Sequence, residues 1–213
     1  MHISSQQIAD PYYEQEAFPI AKLDPEKLDY YYALVLKELR QDMTLQSDQR
    51  TERKTLEYGY SYFEMENGVF EYVDPPEFLI KLGKEVCKAL RKPPESFSNF
   101  IISLYEPGYH LEPHADIDYQ SSGRHGFYFS ENVYGVILEP DATGHLYFVH
   151  YEGEDPIPPL DLKPVYSLKE EQGTVFSLQG QYRHAPYFHG VTNVTKRRIS
   201  VTFRRVLTGT PNQ

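Results

Sequence analysis

Two stretches in the first half of the chain carry apolar side chains at the three- to four-residue spacing of an amphipathic helix. The first covers residues 25–42 and follows Asp24-Pro25, an acidic cap and a proline that are typical of a helix start. The second follows Asp74-Pro75-Pro76. Between them, residues 45–55 are polar and favour a loop, whereas residues 56–63 alternate as in a strand.

After Pro94 the pattern changes to short apolar runs separated by Gly, Pro, Asp and Asn. The runs are 99–105, 133–138, 145–151, 164–168, 174–178, 187–191 and 198–206. Because no further helix is indicated, the pattern favours a sandwich or barrel with two supporting helices, an α+β fold that is mainly β. Residues 119–132 and the acidic, proline-rich 152–163 are expected to be surface loops.

The length of 213 residues suits one domain with its own core. We expect an irregular N-terminal arm over 1–23 and a single domain over 24–213. One cysteine, Cys87, allows no internal disulfide. The chain lacks both an apolar run of about 20 residues and a signal-peptide pattern, so we expect a protein inside the cell, cytoplasmic or nuclear, with no membrane partner. We also expect it to be a monomer.

The formal net charge of -10 argues against a protein that grips long stretches of phosphate backbone. It does not exclude a site for one nucleotide or a small acid. The acidic residues are spread through the arm, the helices and 152–163, whereas the last strand is locally basic. Charge therefore does not decide between substrate classes.

Three pairs of the type His-x-acid occur, where about one would be expected by chance. They are His110/Glu112, His114/Asp116 and His150/Glu152. On a strand, residues i and i+2 point the same way, so such a pair could supply two ligands of an iron site built from two histidines and one carboxylate. The commoner alternative for each pair is two polar surface residues.

The pair His114/Asp116 is favoured because it follows an apolar strand and the turn Glu106-Pro107-Gly108. A later strand should supply the third ligand, and His184 and His189 are both available. His189 is preferred because it ends the aromatic strand Tyr187-Phe188-His189.

The last strand, 198–204, alternates strictly between apolar and polar side chains. Its polar face consists of Arg198, Ser200, Thr202 and Arg204. Two arginines and two hydroxyls suit a small dianion, since arginine pairs bidentately with carboxylates. The alternative is an amphipathic strand whose polar face meets water.

In this order, the segments resemble the AlkB family of iron(II)- and 2-oxoglutarate-dependent dioxygenases over about residues 53–206. Four segments carry the resemblance: Leu104-Tyr105-Glu106-Pro107-Gly108 with the later His114, Asp116 and Asp118; residues 173–180; residues 187–191; and residues 198–204. The resemblance implies a double-stranded β-helix, or jelly roll, with Fe(II), 2-oxoglutarate and O2 as cofactor and co-substrates.

The resemblance also implies a role for each matching residue. His114, Asp116 and His189 would hold iron. Tyr105 and Arg198, with Ser103 and Ser200, would bind the distal carboxylate of 2-oxoglutarate, and Arg204 would lie near the carboxylate that chelates iron. Asp118 matches an acidic position that faces the base, which makes it a candidate for catalysis and substrate binding. Arg53, Tyr58 and Tyr60 lie in a segment that resembles a nucleotide-recognition lid.

The chain departs from the family pattern in three places. Ser103 and Ser200 stand where asparagine is common, although a hydroxyl can still donate to a carboxylate. The loop 152–163 matches no known element. Residues 144–148 are similar to the prolyl-hydroxylase branch of the same superfamily, whose members share the chemistry but act on a different class of substrate.

Three functions stay open. The resemblance favours oxidative demethylation of N-alkylated nucleobases in DNA or RNA, on a single strand or a flipped base. A face of Tyr58, Tyr60 and Tyr62 could stack on the base, and Lys196, Arg197 and Arg205 could contact phosphates. The alternatives for these two groups are core packing and a solvated strand end. The second function is hydroxylation of a protein or small molecule, and the third is a non-catalytic binding module.

Overall fold

The computed structural model describes residues 20–41, 43–47, 51–60, 72–115, 127–129, 132–141, 143–153, 158–159, 161–183 and 185–208. The described part of the chain is mainly β, with two α-helices. None of these helices is long and apolar enough to cross a membrane.

Helix α1, Pro25–Glu38, begins as the sequence predicts: the Asp24 side chain accepts a hydrogen bond from the Glu26 N–H at 3.0 Å. The helix ends earlier than the predicted residue 42. The Arg40 N–H donates to the carbonyl oxygen of Lys37, three residues back, and such bonds tighten and close a last turn. Helix α2 covers Glu77–Ala89, in agreement with the second predicted stripe.

The strands, in chain order, are β1 Ile20–Lys22, β2 Thr44–Ser47, β3 Thr51–Tyr60, β4 Tyr72–Val73, β5 Asn99–Tyr105, β6 His110–His114, β7 Phe127–Phe129, β8 Val133–Glu139, β9 Leu146–His150, β10 Tyr166–Ser167, β11 Thr174–Leu178, β12 Tyr187–Val191, β13 Arg198–Arg204 and β14 Val206–Thr208. A 3₁₀ turn, Gly180–Arg183, precedes β12.

Twelve of these strands form one antiparallel sheet in the order β1-β11-β8-β13-β5-β3-β6-β12-β9-β10, with β2 and β4 both paired to β3. The sheet curls on itself at the β3–β6 contact, so that β11, β8, β13 and β5 lie opposite β6, β12 and β9. This is the double-stranded β-helix that the sequence suggested. Strands β7 and β14 form a separate pair.

Two apolar cores lie on either side of the larger half of the sheet. The outer core packs both helices against β5, β8, β11 and β13, and includes Val35, Leu82, Ile102 and Val201. The inner core fills the space between the two halves, with Ile137, Phe148, Leu168 and Phe176 among its members. The alternation along β13 thus places its apolar face on the helices and its polar face inside the barrel.

Three predicted irregular regions contain strands. Residues 45–55 were expected to be a loop, but residues 45–47 belong to β2 and residues 51–55 to β3, and the two strands pair with each other. Strand β3 also pairs with β5, a contact between distant parts of the chain that outweighs the polar local sequence. Residues 20–22 of the predicted arm form β1, which pairs with β11, and residues 127–129 of the predicted loop form β7.

Candidate functional site

Strands β6 and β12 bring two of the predicted ligands together. Their register places His189 directly opposite His114, and the two ring centroids are 4.5 Å apart. Residues that are opposite in an antiparallel pair share one face of the sheet. That face is the barrel interior, because His189 is buried and its ring centroid lies 6.1 Å from that of Phe148 in the inner core.

The ring of His114 is oriented by a backbone carbonyl. Its Nδ1 lies 3.1 Å from the carbonyl oxygen of Glu112. A carbonyl can only accept, so Nδ1 donates and Nε2 of the neutral ring carries the lone pair. Metal-binding histidines commonly donate their other ring N–H in this way. The two imidazoles therefore fit a divalent metal such as iron(II).

Gly190 permits the close approach of the two strands beside His189. A Cβ at this position would lie 2.4 Å from the carbonyl oxygen of Leu111 on β6. Any side chain would push β12 away from β6, so glycine is required for the register that sets the histidines opposite each other.

Three further residues of the sequence predictions lie outside the described residues. They are the predicted ligand Asp116, the alternative ligand His184, and Asp118, the candidate for catalysis and substrate binding. Within the described ranges, no three His, Cys, Asp or Glu side chains are grouped as a metal site. The carboxylate ligand Asp116 stays a prediction.

The other two His-x-acid pairs are placed differently. His110 Nε2 lies 3.7 Å from Glu112 Oε1, and His150 Nε2 lies 3.4 Å from Glu152 Oε1. Opposite His110 is Glu52, and opposite His150 is Tyr187, so neither faces a second imidazole across these strand pairs. Each of these histidines lies beside a carboxylate of its own strand or of the residues that follow it, at a partly exposed position.

Four residues that the resemblance assigns to 2-oxoglutarate form a polar cluster on β5 and β13: Ser103, Tyr105, Arg198 and Ser200. The register sets Arg198 opposite Tyr105 and Ser200 opposite Ser103. The guanidinium carbon of Arg198 lies 5.2 Å from the Tyr105 ring centroid, and Arg198 Nη1 donates to Ser200 Oγ at 3.2 Å. Ser200 also lies opposite Ile137, so the cluster faces the inner core.

Arg198 binds a further residue, Glu170, that the sequence did not indicate. Arg198 Nε donates to Glu170 Oε2 at 2.8 Å, and Nη2 donates to Oε1 at 2.6 Å. The Leu146 N–H also donates to Oε1, at 2.9 Å. Burial disfavours the charge on Arg198, but the carboxylate more than offsets this and raises the pKa of the guanidinium.

No local pattern distinguishes Glu170 from its neighbour Glu171, which is exposed and pairs with Lys22 at 2.7 Å. Only the three-dimensional position of the segment, between the ends of β9 and β13, separates the two carboxylates. The one sequence signal for Glu170 is indirect: a buried arginine such as Arg198 requires an acidic partner.

Arg204 lies at the far end of the polar face of β13. It is half-buried, and its Nη1 donates to Thr202 Oγ1 at 3.1 Å. Its strand partner is Asn99 on β5. The predicted role beside the chelating carboxylate stays a proposal.

The three residues of the predicted nucleotide-binding segment lie on β3 in different environments. Arg53 is partly buried near the start of the strand. Tyr58 belongs to the outer core, and its hydroxyl donates to Glu38 at 2.6 Å. Tyr60 is partly buried and makes an edge contact with Tyr72 at 5.0 Å between centroids. Tyr62 lies outside the described residues.

The basic residues beside β13 are not equivalent. Arg197 binds Glu139 bidentately, through Nε at 3.0 Å and Nη2 at 2.8 Å, and the Tyr32 hydroxyl donates to the same carboxylate. Lys196 and Arg205 are exposed. Arg197, one of the three predicted phosphate contacts, is thus engaged by an acidic partner within the chain.

Comparison with known proteins gives a fold but no sequence family. No family model matches the chain, and no curated protein matches its sequence. Solved structures do match. OsALKBH1 is 17% identical with a TM-score of 0.62, covering 89% of this chain and 98% of its own.

Two further matches come from bacteria. A 2OG-Fe(II) oxygenase-family oxidoreductase from Burkholderia pseudomallei is 14% identical, with a TM-score of 0.60, and the match covers 100% of this chain and 98% of that one. A prolyl-4-hydroxylase from Pseudomonas putida is 16% identical, with a TM-score of 0.53, and the match covers 89% of this chain and 92% of that one. The chain has the jelly-roll fold of these oxygenases.

Proposed function

We propose that this chain is an iron(II)- and 2-oxoglutarate-dependent dioxygenase. The observation that carries the proposal is the arrangement of two polar groups on the inner faces of one barrel. His114 and His189 lie opposite each other on β6 and β12, and Arg198 lies with Tyr105 and two serines on β5 and β13. A co-substrate with a chelating end and a distal carboxylate needs both groups.

In this proposal, His114, His189 and Asp116 hold the metal. Arg198, supported by the hydroxyls of the polar cluster, binds the distal carboxylate of 2-oxoglutarate, and Arg204 lies near its chelating end. Bound iron(II) supplies the oxidation of a substrate C–H bond by O2, coupled to conversion of 2-oxoglutarate to succinate and CO2.

The chain itself fixes these groups and keeps water away from them. Phe148, Tyr166 and Tyr182 pack around the inner core beside the histidine pair. A water-poor interior strengthens the attraction between Arg198 and a carboxylate. It also limits side reactions of the oxidant.

The proposed substrate is an N-alkylated nucleobase in DNA or RNA. The resemblance to AlkB segments and the structural likeness to OsALKBH1 support this choice. The base would leave its stack to reach the interior, so the partner is a single strand or a flipped base. Asp118 would face the base, and Arg53 and Tyr60 would contact the nucleotide. Tyr58 is left out of the proposed nucleotide contact because it packs in the outer core.

Hydroxylation of a protein or small molecule is the second candidate. Two observations favour it: the structural likeness to a prolyl-4-hydroxylase, and the engagement of Arg197 by Glu139, which removes one candidate phosphate contact. A non-catalytic module is the third candidate, and the presence of His114, His189 and Arg198 at interior positions argues against it.

One experiment separates the two enzymatic proposals from the non-catalytic module. Purified protein with iron(II), ascorbate and 2-oxoglutarate should form succinate above the background of a His189→Ala variant. Absence of that difference, with and without candidate substrates, would contradict both enzymatic proposals.

A second experiment separates the two substrate classes. Methylated single- and double-stranded oligonucleotides should release formaldehyde and lose the mass of a methylene group from the modified base. If succinate forms but no oligonucleotide changes mass, the protein or small-molecule hydroxylase is supported instead.

A further inference from the structure

The arginine proposed to receive 2-oxoglutarate already holds a carboxylate from its own chain. Glu170 binds Arg198 through two hydrogen bonds of 2.8 and 2.6 Å, the bidentate geometry that arginine offers to a ligand carboxylate. Both side chains are almost fully buried, at 2% and 1% exposure. This is an ion pair of the barrel interior and not of the surface.

The polar cluster leaves no open surface for a second carboxylate. Tyr105 is 2% exposed, Ser103 4% and Ser200 5%. Of the five N–H groups on the guanidinium of Arg198, one on each nitrogen is used, by Glu170 or Ser200. A ligand that needs Arg198 must therefore displace a group that is already there.

The electrostatic balance leads to the same conclusion. Arg198 and Glu170 together are neutral, so a further carboxylate beside them would meet no net positive charge and a like charge at close range. Two carboxylates on one buried guanidinium are unfavourable unless another cation is present. A dianion would bind well only after Glu170 leaves.

Glu170 lies on a connecting segment and not on a strand. The segment, residues 168–173 between β10 and β11, is held at its two ends, by the Leu168 N–H that donates to the Leu146 carbonyl oxygen and by the Gly173 N–H that donates to the Ile137 carbonyl oxygen. Its neighbour Glu171 is at the surface, bound to Lys22. Movement of the Glu170 side chain away from Arg198 would also break its hydrogen bond from the Leu146 N–H, but it would break no backbone pairing between strands.

We propose that Glu170 occupies the place of the co-substrate's distal carboxylate and must be exchanged for it, so that this residue sets the affinity for 2-oxoglutarate. The inference rests on the proposed function, since it takes Arg198 as the 2-oxoglutarate arginine. Glu170 is then an affinity-determining residue and touches the same guanidinium as the co-substrate, but not at the same time.

The test is 2-oxoglutarate binding by isothermal titration calorimetry, with Mn(II) in place of iron. Glu170→Ala should bind at least tenfold more tightly than the unchanged protein, and the isosteric Glu170→Gln should lie between them. Glu171→Ala is the matched control and should bind as the unchanged protein does. If Glu170→Ala fails to fold, Glu170→Gln decides.

Unchanged or weaker binding by the folded Glu170 variants would overturn the proposal, because it would show that the carboxylate positions Arg198 for the ligand. A second measurement covers the case in which no form binds 2-oxoglutarate, which would count against the proposed co-substrate alone. Acetate should then raise the melting temperature of Glu170→Ala, but not that of Glu171→Ala, by filling the vacated place on Arg198. No such selective rise would overturn the role of Glu170.

Discussion

His189 lies directly opposite His114 across the β6–β12 pair, with 4.5 Å between the ring centroids. Each imidazole is held by its strand, and Gly190 keeps the two strands close. The proposed metal site therefore requires both imidazole rings.

We expect His114→Ala to abolish succinate formation and to lower Mn(II) affinity by more than the about 10- to 100-fold typical of losing an outer hydrogen-bond partner of a metal ligand. Equilibrium dialysis with Mn(II) and a succinate assay would measure the two effects. His150→Ala is the matched control, because its imidazole is partly exposed and pairs with Glu152. Turnover that survives in His114→Ala would show that the metal ligands lie elsewhere.

Two neighbouring arginines, each paired with a glutamate, should differ widely in their effect on stability. Arg198→Ala would leave Glu170 buried without its cation, and should lower the free energy of unfolding by about 3–5 kcal/mol. Arg197→Ala removes a pair whose arginine side chain is 45% exposed, and should cost about 0–1 kcal/mol. Urea unfolding measures both, and equal effects would contradict the buried position of the Arg198–Glu170 pair.

The buried carboxylate of Asp141 predicts a specific pH dependence. Burial alone would raise its pKa, but hydrogen bonds from the Thr195 N–H and the Thr143 hydroxyl lower the pKa from 3.8 to about 2. The unfolded chain therefore binds the proton more readily, and the stabilisation is full above about pH 4 and is lost as the pH falls towards 2.

Asp141→Asn should accordingly lower the free energy of unfolding by about 2 kcal/mol at pH 7 and flatten its decline between about pH 4 and pH 2. Urea titrations at a series of pH values would show this. The exposed Asp24 provides a control, since Asp24→Asn keeps a side-chain oxygen at the helix cap. A decline as steep as that of the unchanged protein would locate the acid-labile group elsewhere.

The strands with strong apolar alternation were predictable from sequence, whereas those held mainly by distant partners were not. β13 shows its two faces in the order of its residues, but the pattern alone allowed the polar face to meet either water or a ligand. Strand β6, His110–His114, contains a proline and no apolar alternation, and it exists because β12 and β3 pair with it. Position in the fold, not local preference, defines it.

The candidate site follows the same division. His114, His189, Arg198 and Tyr105 could be selected from motifs, and the structure places them on interior faces. Glu170 could not, since its burial depends on Leu146 of β9 and Arg198 of β13, which both donate hydrogen bonds to it. Tyr58 shows the reverse case, because the alternating tyrosines gave no sign that one of them packs against the helices and binds Glu38.

The two tyrosines of β3 allow a test of nucleic-acid binding. Tyr60→Ala should weaken binding of a methylated single strand by about 1–3 kcal/mol, the usual value of stacking on one base. Tyr58→Phe should leave binding unchanged and lower the stability of the fold by about 1–3 kcal/mol, because it removes a hydrogen bond to a carboxylate. Fluorescence anisotropy and urea unfolding would measure the two quantities. Equal binding by Tyr60→Ala and the unchanged protein would contradict the stacking role.

The two apolar cores lie on opposite sides of one sheet, and the inner core borders the candidate site. In the outer core, helix side chains such as Val35 and Leu82 pack against the face of the sheet that points away from the barrel interior. Phe148 and Ile137, in the inner core, adjoin the histidine pair and the polar cluster. The helix layer is therefore the part of the protein where thermal stability could be redesigned, or could drift during evolution, while the chemistry of the interior is left intact.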